Sequence, residues 1–153
     1  MTRPHSAPAV HAPDADAALA AIRSQGVRVT ASRRLAVEAL YAAGEPLTAE
    51  QIATGGDGRA PVGDLASVYR NLERLEEAGI VRHFHLGHAP ALYALAGAPR
   101  REYLLCESCG KVTSLEPSKL DAVRRAIRRD LGHQASFTHF PIGGLCGKCG
   151  QGE

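Results

Sequence analysis

Cys106-Glu107-Ser108-Cys109-Gly110 and Cys146-Gly147-Lys148-Cys149-Gly150 together hold all four cysteines of the chain. Each is a C-x-x-C followed by glycine, the residue best able to take the positive φ that folds backbone amides around a thiolate-bound metal. Two such knuckles make one tetrahedral four-thiolate site, for which zinc is the expected occupant because it suits four thiolates, imposes no geometry and does no redox chemistry. Two disulfides or a thioredoxin-like redox pair are the competing readings, but the doubled pattern is far more specific than a single C-x-x-C. Residues 110–145 separate the pairs, more than the roughly 15–20 residues of a compact zinc ribbon. The closed loop must therefore contain folded structure of its own.

Working outward, residues 99–106 read as a strand entering the first knuckle and Val112 to Leu115 as its continuation. Pro117 suits the start of a helix with an apolar stripe of Leu120, Val123, Ile127 and Leu131, ended by Gly132. Its other face carries Arg124, Arg125, Arg128 and Arg129, expected first as a solvated surface. Phe137, Phe140 and Ile142 mark a last strand running into the second knuckle. A unit of this size, about 60 residues, is too small to be comfortable alone, and dimerisation is the usual remedy.

Upstream, residues 15–24 form a short helix before Gly26, and Thr30 caps a second helix running to about Ala43, with Arg33 and Arg34 in its first turns. Thr48-Ala49-Glu50-Gln51 is a capping box that opens a third, ended by Gly55, Gly56, Gly58 and Pro61. Asp64 caps a fourth, in which Leu65, Val68, Leu72 and Leu75 share one face and Gly79 closes the helix. At about 100° per residue, Ser67, Arg70 and Arg74 cluster on the opposite face with Asn71 beside them. Ile80 to Leu86 and Ala91 to Leu95 then alternate as a two-stranded hairpin joined at Gly87-His88-Ala89-Pro90. Helices followed by a hairpin are the order of a winged helix-turn-helix, which lays its last helix in the major groove. The competing reading is a solvated face, with Arg70 and Arg74 paired to Glu73, Glu76 and Glu77.

The expected fold is α+β: a disordered tail at 1–16, a winged helix-turn-helix DNA-binding domain at 17–96, and a small α/β dimerisation domain with a four-cysteine zinc site at 97–153. There is no Trp and only three Phe, so the core must be Ala, Leu, Val and Ile. No stretch is long and apolar enough for a signal peptide or a membrane span, and a reducing cytoplasm disfavours disulfides. Lys plus Arg is 18 against 16 Asp plus Glu, so a nucleic-acid surface must come from local placement rather than net charge. Four thiolates close a zinc site, no H-E-x-x-H is present and no cysteine is left over as a nucleophile, so an enzyme acting on a small organic substrate is not expected.

Arg28-Val29-Thr30 with Arg33, Ala66-Ser67-Val68-Tyr69-Arg70-Asn71-Leu72, Ala78-Gly79-Ile80-Val81-Arg82 and both knuckles together resemble the ferric uptake regulator family of metal-dependent transcriptional regulators. The resemblance implies a homodimer that binds a palindromic double-stranded operator. Tyr69 would meet a thymine methyl, Arg70 a base edge or phosphate, and Arg33 the backbone.

Members of the family usually carry H-x-H just before the first knuckle; here those positions are Arg101 and Tyr103. A further family metal site falls on Arg100, Glu102, Asp121 and, one residue out of register, His139. His83 and His85 share one face of a strand and His88 follows in the turn, so imidazoles there can replace the missing ones, completed by Glu102, Asp121 or His139. Zn²⁺, Fe²⁺ and Mn²⁺ all suit such ligands. The alternatives are a DNA-binding regulator with structural zinc only, and histidines that merely touch phosphate or solvent.

Overall fold

A computed structural model describes residues 7–55 and 60–151. They divide into two compact units: one comprises residues up to His83 with Ala91–Ala98, the other Phe84–Pro90 with the residues from Pro99 onward.

In the first unit, α1 (Ala15–Ser24) is capped by Asp14, whose carboxylate accepts from the Ala17 amide at 2.8 Å. α2 (Ala31–Ala43) is capped by Thr30 and stops at Gly44, φ 64°. The capping box on Thr48 opens α3 (Ala49–Thr54), the Thr48 hydroxyl accepting from the Gln51 amide and the Gln51 side chain accepting from the Thr48 amide. Gly55 ends it; Gly56 and Gly58 lie outside the described residues. α4 (Leu65–Glu77) is capped by Asp64, which accepts from the Ser67 amide at 3.0 Å, an interaction that holds the Asp64 carboxyl below the usual carboxylate range. Val68, Leu72 and Leu75 of α4 are fully buried among α2 and α3, each contributing on the order of 1.5–3 kcal/mol of transfer free energy. A three-stranded antiparallel sheet closes the unit, with β1 (Leu47–Thr48) against β3 (Leu92–Leu95) and β3 against β2 (Val81–Phe84).

The expected disordered tail needs correction over residues 7–14; residues 1–6 lie outside the described part. The Ala7 amide donates to Glu77 O and the Val10 amide to Gly79 O, while Ala12 O accepts from the Tyr41 hydroxyl at 3.0 Å. Gly79, at φ 74°, lets this segment pass, because a Cβ there would collide with Pro8 O. The proline-rich segment thus satisfies backbone groups at the end of α4, and the helical region starts at Ala15 rather than 17.

In the second unit, β4 (Glu102–Cys106) is central, antiparallel to β5 (Val112–Leu115) and parallel to β6 (Ile142–Gly144), with Cys106 opposite Gly144. A 3-10 turn, Pro117–Leu120, leads into α5 (Asp121–Leu131). Phe84–Pro90, expected in the wing, groups with this unit because Phe84 stacks on Tyr103 at 5.2 Å and the His85 amide donates to His139 O at 2.8 Å. No residue of α5 is fully buried; Val123 is 43% and Leu131 77% exposed. Among the described residues, no helix is long and apolar enough to cross a membrane.

Candidate metal centres and nucleic-acid interface

Strand register builds the thiolate site. Because β6 runs parallel to β4 with Gly144 beside Cys106, both knuckles leave the same end of the sheet. Each closes by the same turn, the Gly110 amide donating to Cys106 O and the Gly150 amide to Cys146 O. Sulfurs of Cys106, Cys109, Cys146 and Cys149 lie within 4.8 Å of one another, and Cys109 Sγ stands 3.8 Å from Cys146 Sγ. A disulfide would need about 2.05 Å; four thiolates at about 2.3 Å from one tetrahedral zinc stand about 3.8 Å apart. Backbone amides of Cys109 and Cys146 donate to the Cys106 sulfur and bring its thiol down to about 6. Cys149 moves the other way, up to about 11: its Ser108 hydrogen bond lowers it, and the three neighbouring sulfurs outweigh that effect. Four converging sulfurs, with amides aimed at the first, fit a closed metal site.

Other metal candidates separate into groups. In the first unit, the half-buried His83 places Nδ1 2.5 Å from Glu76 Oε1 and its ring 5.9 Å from that of Tyr93. In the second, His85 and His139 have ring centroids 5.1 Å apart and their ligating nitrogens within 4.8 Å. Two imidazole nitrogens on one tetrahedral ion stand about 3.4 Å apart, so a small rotation suffices. Phe140, which the sequence marks only as a strand residue, stacks on His85 at 5.5 Å and meets His139 edge-on at 4.5 Å. His88 is exposed and joins no group of three candidate ligands among the described residues.

Glu102 and Asp121, expected beside the histidines, are engaged elsewhere. Arg124 donates Nη2 to Glu102 Oε1, and Nη1 to Asp121 Oδ1 at 3.1 Å and to Pro117 O at 2.8 Å. Glu102 is wholly buried, so a guanidinium already supplies the cation this carboxylate needs. By its spacing Arg124 belongs to a solvated face; only the burial of Glu102 sets it apart. Arg101 and Tyr103 are likewise occupied: Arg101 donates to Ser114 at 3.0 Å across the β4–β5 pair, and Tyr103 stacks on Phe84. Arg100 is exposed.

The candidate DNA face lies on α4 and the start of α2. Tyr69 is 45% exposed, and Arg70 donates to the Ser67 hydroxyl at 3.0 Å, which holds the guanidinium along the helix. Arg74 pairs with Glu77 at 2.7 Å, as the solvated-face reading expects of it. Arg33, anchored to Arg28 O, is destabilised as a cation by burial and then by the charge of Arg74. Its Nε is buried without an acceptor among the described residues. A phosphate is the anion such a pair of arginines lacks.

The profile of the Ferric uptake regulator family matches residues 24–140. The chain belongs to the ferric uptake regulator family. Its members are metal-dependent, DNA-binding transcriptional regulators, and so is this protein. It is 29% identical to the peroxide operon regulator of Bacillus subtilis over 89% of this chain and 93% of that protein. It is also 29% identical to the ferric uptake regulation protein of Campylobacter jejuni, over 84% and 83%. The Helicobacter pylori ferric uptake regulator structure superposes with a TM-score of 0.64 at 20% identity, over 94% and 99% of the two chains. That likeness shows the fold, an N-terminal DNA-binding unit followed by a dimerisation unit.

Proposed function

We propose that this family member is a cytoplasmic homodimeric repressor that binds a palindromic operator when a regulatory divalent metal is bound, with one structural zinc per subunit on Cys106, Cys109, Cys146 and Cys149. The regulatory ion, Zn²⁺, Fe²⁺ or Mn²⁺, is held by His85 and His139 with His83, one strand repeat before His85. The observation that carries this reading is the His85–His139 approach, since two imidazoles brought together beside Phe140 have little other purpose. Arg33, Ser67, Tyr69 and Arg70 meet the DNA, and Arg74 adds to the local positive charge. The exposed apolar side chains of the second unit, Leu104, Val112, Val123 and Leu131, support a second copy as their cover. Because the four-thiolate site has no open position, a regulator rather than a zinc enzyme suits it.

Metal loading of the two centres can be separated. Replacing His85 with alanine should leave the tightly held zinc in place and abolish the gain in operator affinity on adding metal, read by gel shift. A second reading, a regulator with structural zinc only, draws on Arg101, Tyr103 and Arg124 standing where family ligands would be. Equal operator affinity with and without added metal in the wild-type protein would select it.

A further inference from the structure

His83 is held by more than one bond to the same oxygen. Glu76 Oε1 faces the ring Nδ1 at 2.5 Å and also accepts from the His83 main-chain amide at 3.3 Å. A carboxylate only accepts, so Nδ1 carries the proton in the neutral ring and Nε2 the lone pair. Metal-ligating histidines characteristically donate their other N–H to a carboxylate, which fixes tautomer and ring orientation and raises ligand basicity. Glu76 lies in the last turns of α4, seven residues after Tyr69 and on the same side of the helix, since seven residues make nearly two turns. Tyr69, Arg70, Glu73, Glu76, His83 and Tyr93 line one groove.

We infer that Glu76 is a positioning residue for the regulatory metal, orienting His83 through Nδ1 and linking metal occupancy to the DNA-contacting face of α4. This inference rests on the proposal that His83 is a metal ligand. Its physical content is electrostatic as well as geometric. Glu73 and Glu76 set negative charge beside Arg70, which opposes the approach of phosphates. An ion on Nε2 of His83 puts positive charge into the same groove and strengthens the Nδ1–H bond that Glu76 accepts. Metal at the histidine therefore relieves the repulsion that the two carboxylates exert on DNA.

The test uses the full-length zinc-loaded protein with Glu76→Ala, Glu76→Gln and His85→Ala. Long-range ¹H–¹⁵N correlation of the histidines should show His83 as the Nδ1–H tautomer in wild type without regulatory metal, and a shift toward Nε2–H in Glu76→Ala. Chelator competition with Co²⁺ should give a roughly 10–100-fold weaker regulatory site in Glu76→Ala. Glu76→Gln, which keeps an oxygen acceptor in the same shape, should recover part of that loss. The ratio of operator affinities with and without metal should fall in the same order. Wild-type Co²⁺ affinity and an unchanged tautomer in Glu76→Ala, alongside loss of the site in His85→Ala, would overturn the role of Glu76 alone. Undiminished Co²⁺ binding in His85→Ala would overturn the metal assignment, and the role of Glu76 with it.

Discussion

Replacing Arg124 with methionine removes the cation that Glu102 and Asp121 share. Glu102 has a side-chain exposure of 0% and Arg124 one of 25%, so the two ends of the pair are unequally desolvated. Asp121 is 54% exposed and can turn to water; Glu102 cannot. Its Oε2 already has no partner among the described residues, and the substitution would strip Oε1 as well. Breaking a buried pair from one side costs about 3–5 kcal/mol, because an uncompensated charge stays behind. Loss of the guanidinium over the Phe137 ring, 5.4 Å from its centroid, adds about 0.5–1 kcal/mol. Partial exposure of Arg124 pulls the total toward the lower end, near about 3 kcal/mol. Denaturant titration followed by far-UV circular dichroism, in excess zinc so that metal loss does not enter, measures this directly. Removing both charges with Glu102→Leu and Arg124→Met together should restore most of the loss, since well-packed apolar residues replace buried ion pairs at little cost. A single variant within about 1 kcal/mol of wild type, or a double variant that sums the two singles, would refute the picture of a buried carboxylate held by one guanidinium.

Other outcomes follow from the two metal centres and the DNA face. Cys146→Ser should lose the structural zinc and unfold the second unit, because metal binding there is folding free energy; metal content and circular dichroism report it. Zinc retention should also depend on pH in a fixed direction: Cys106, lowered to about 6, is a thiolate above that value and protonates as pH falls through it, so release begins on acidification. Arg70→Ala should weaken operator binding by about 1–3 kcal/mol if the guanidinium reads a base edge, and uniformly over all sequences if it meets a phosphate; competition gel shifts distinguish these cases.

The parts that were legible in the sequence are those set by local chemistry. The four cysteines and the glycines after them name their own site, and Thr30, Thr48 and Asp64 each cap the helix that the pattern assigns to them. What escaped depends on partners distant in the chain. Nothing in Pro8-Ala9-Val10 announces that backbone groups at the end of α4 are waiting for it, so composition alone suggested a disordered tail. Arg124 stands among four arginines on one helix, and only the topology that buries Glu102 on β4 separates it from the others. The assignment of Phe84–Pro90 failed similarly, because alternation identifies a hairpin without saying which neighbours its tip will meet.

The parallel pairing of β4 with β6 has a further consequence. β6 is three residues long, and the crossover to it passes through α5. So short a strand, closing so long a loop, is held chiefly by the ion that ties Cys146 and Cys149 to the far side of the register. Metal loss would release it and leave one whole side of β4 with unpaired amides and carbonyls, next to the exposed Leu104. Such an edge is a template for strands from other molecules. Zinc starvation should therefore remove this regulator by self-association, as insoluble protein rather than as an inactive soluble pool.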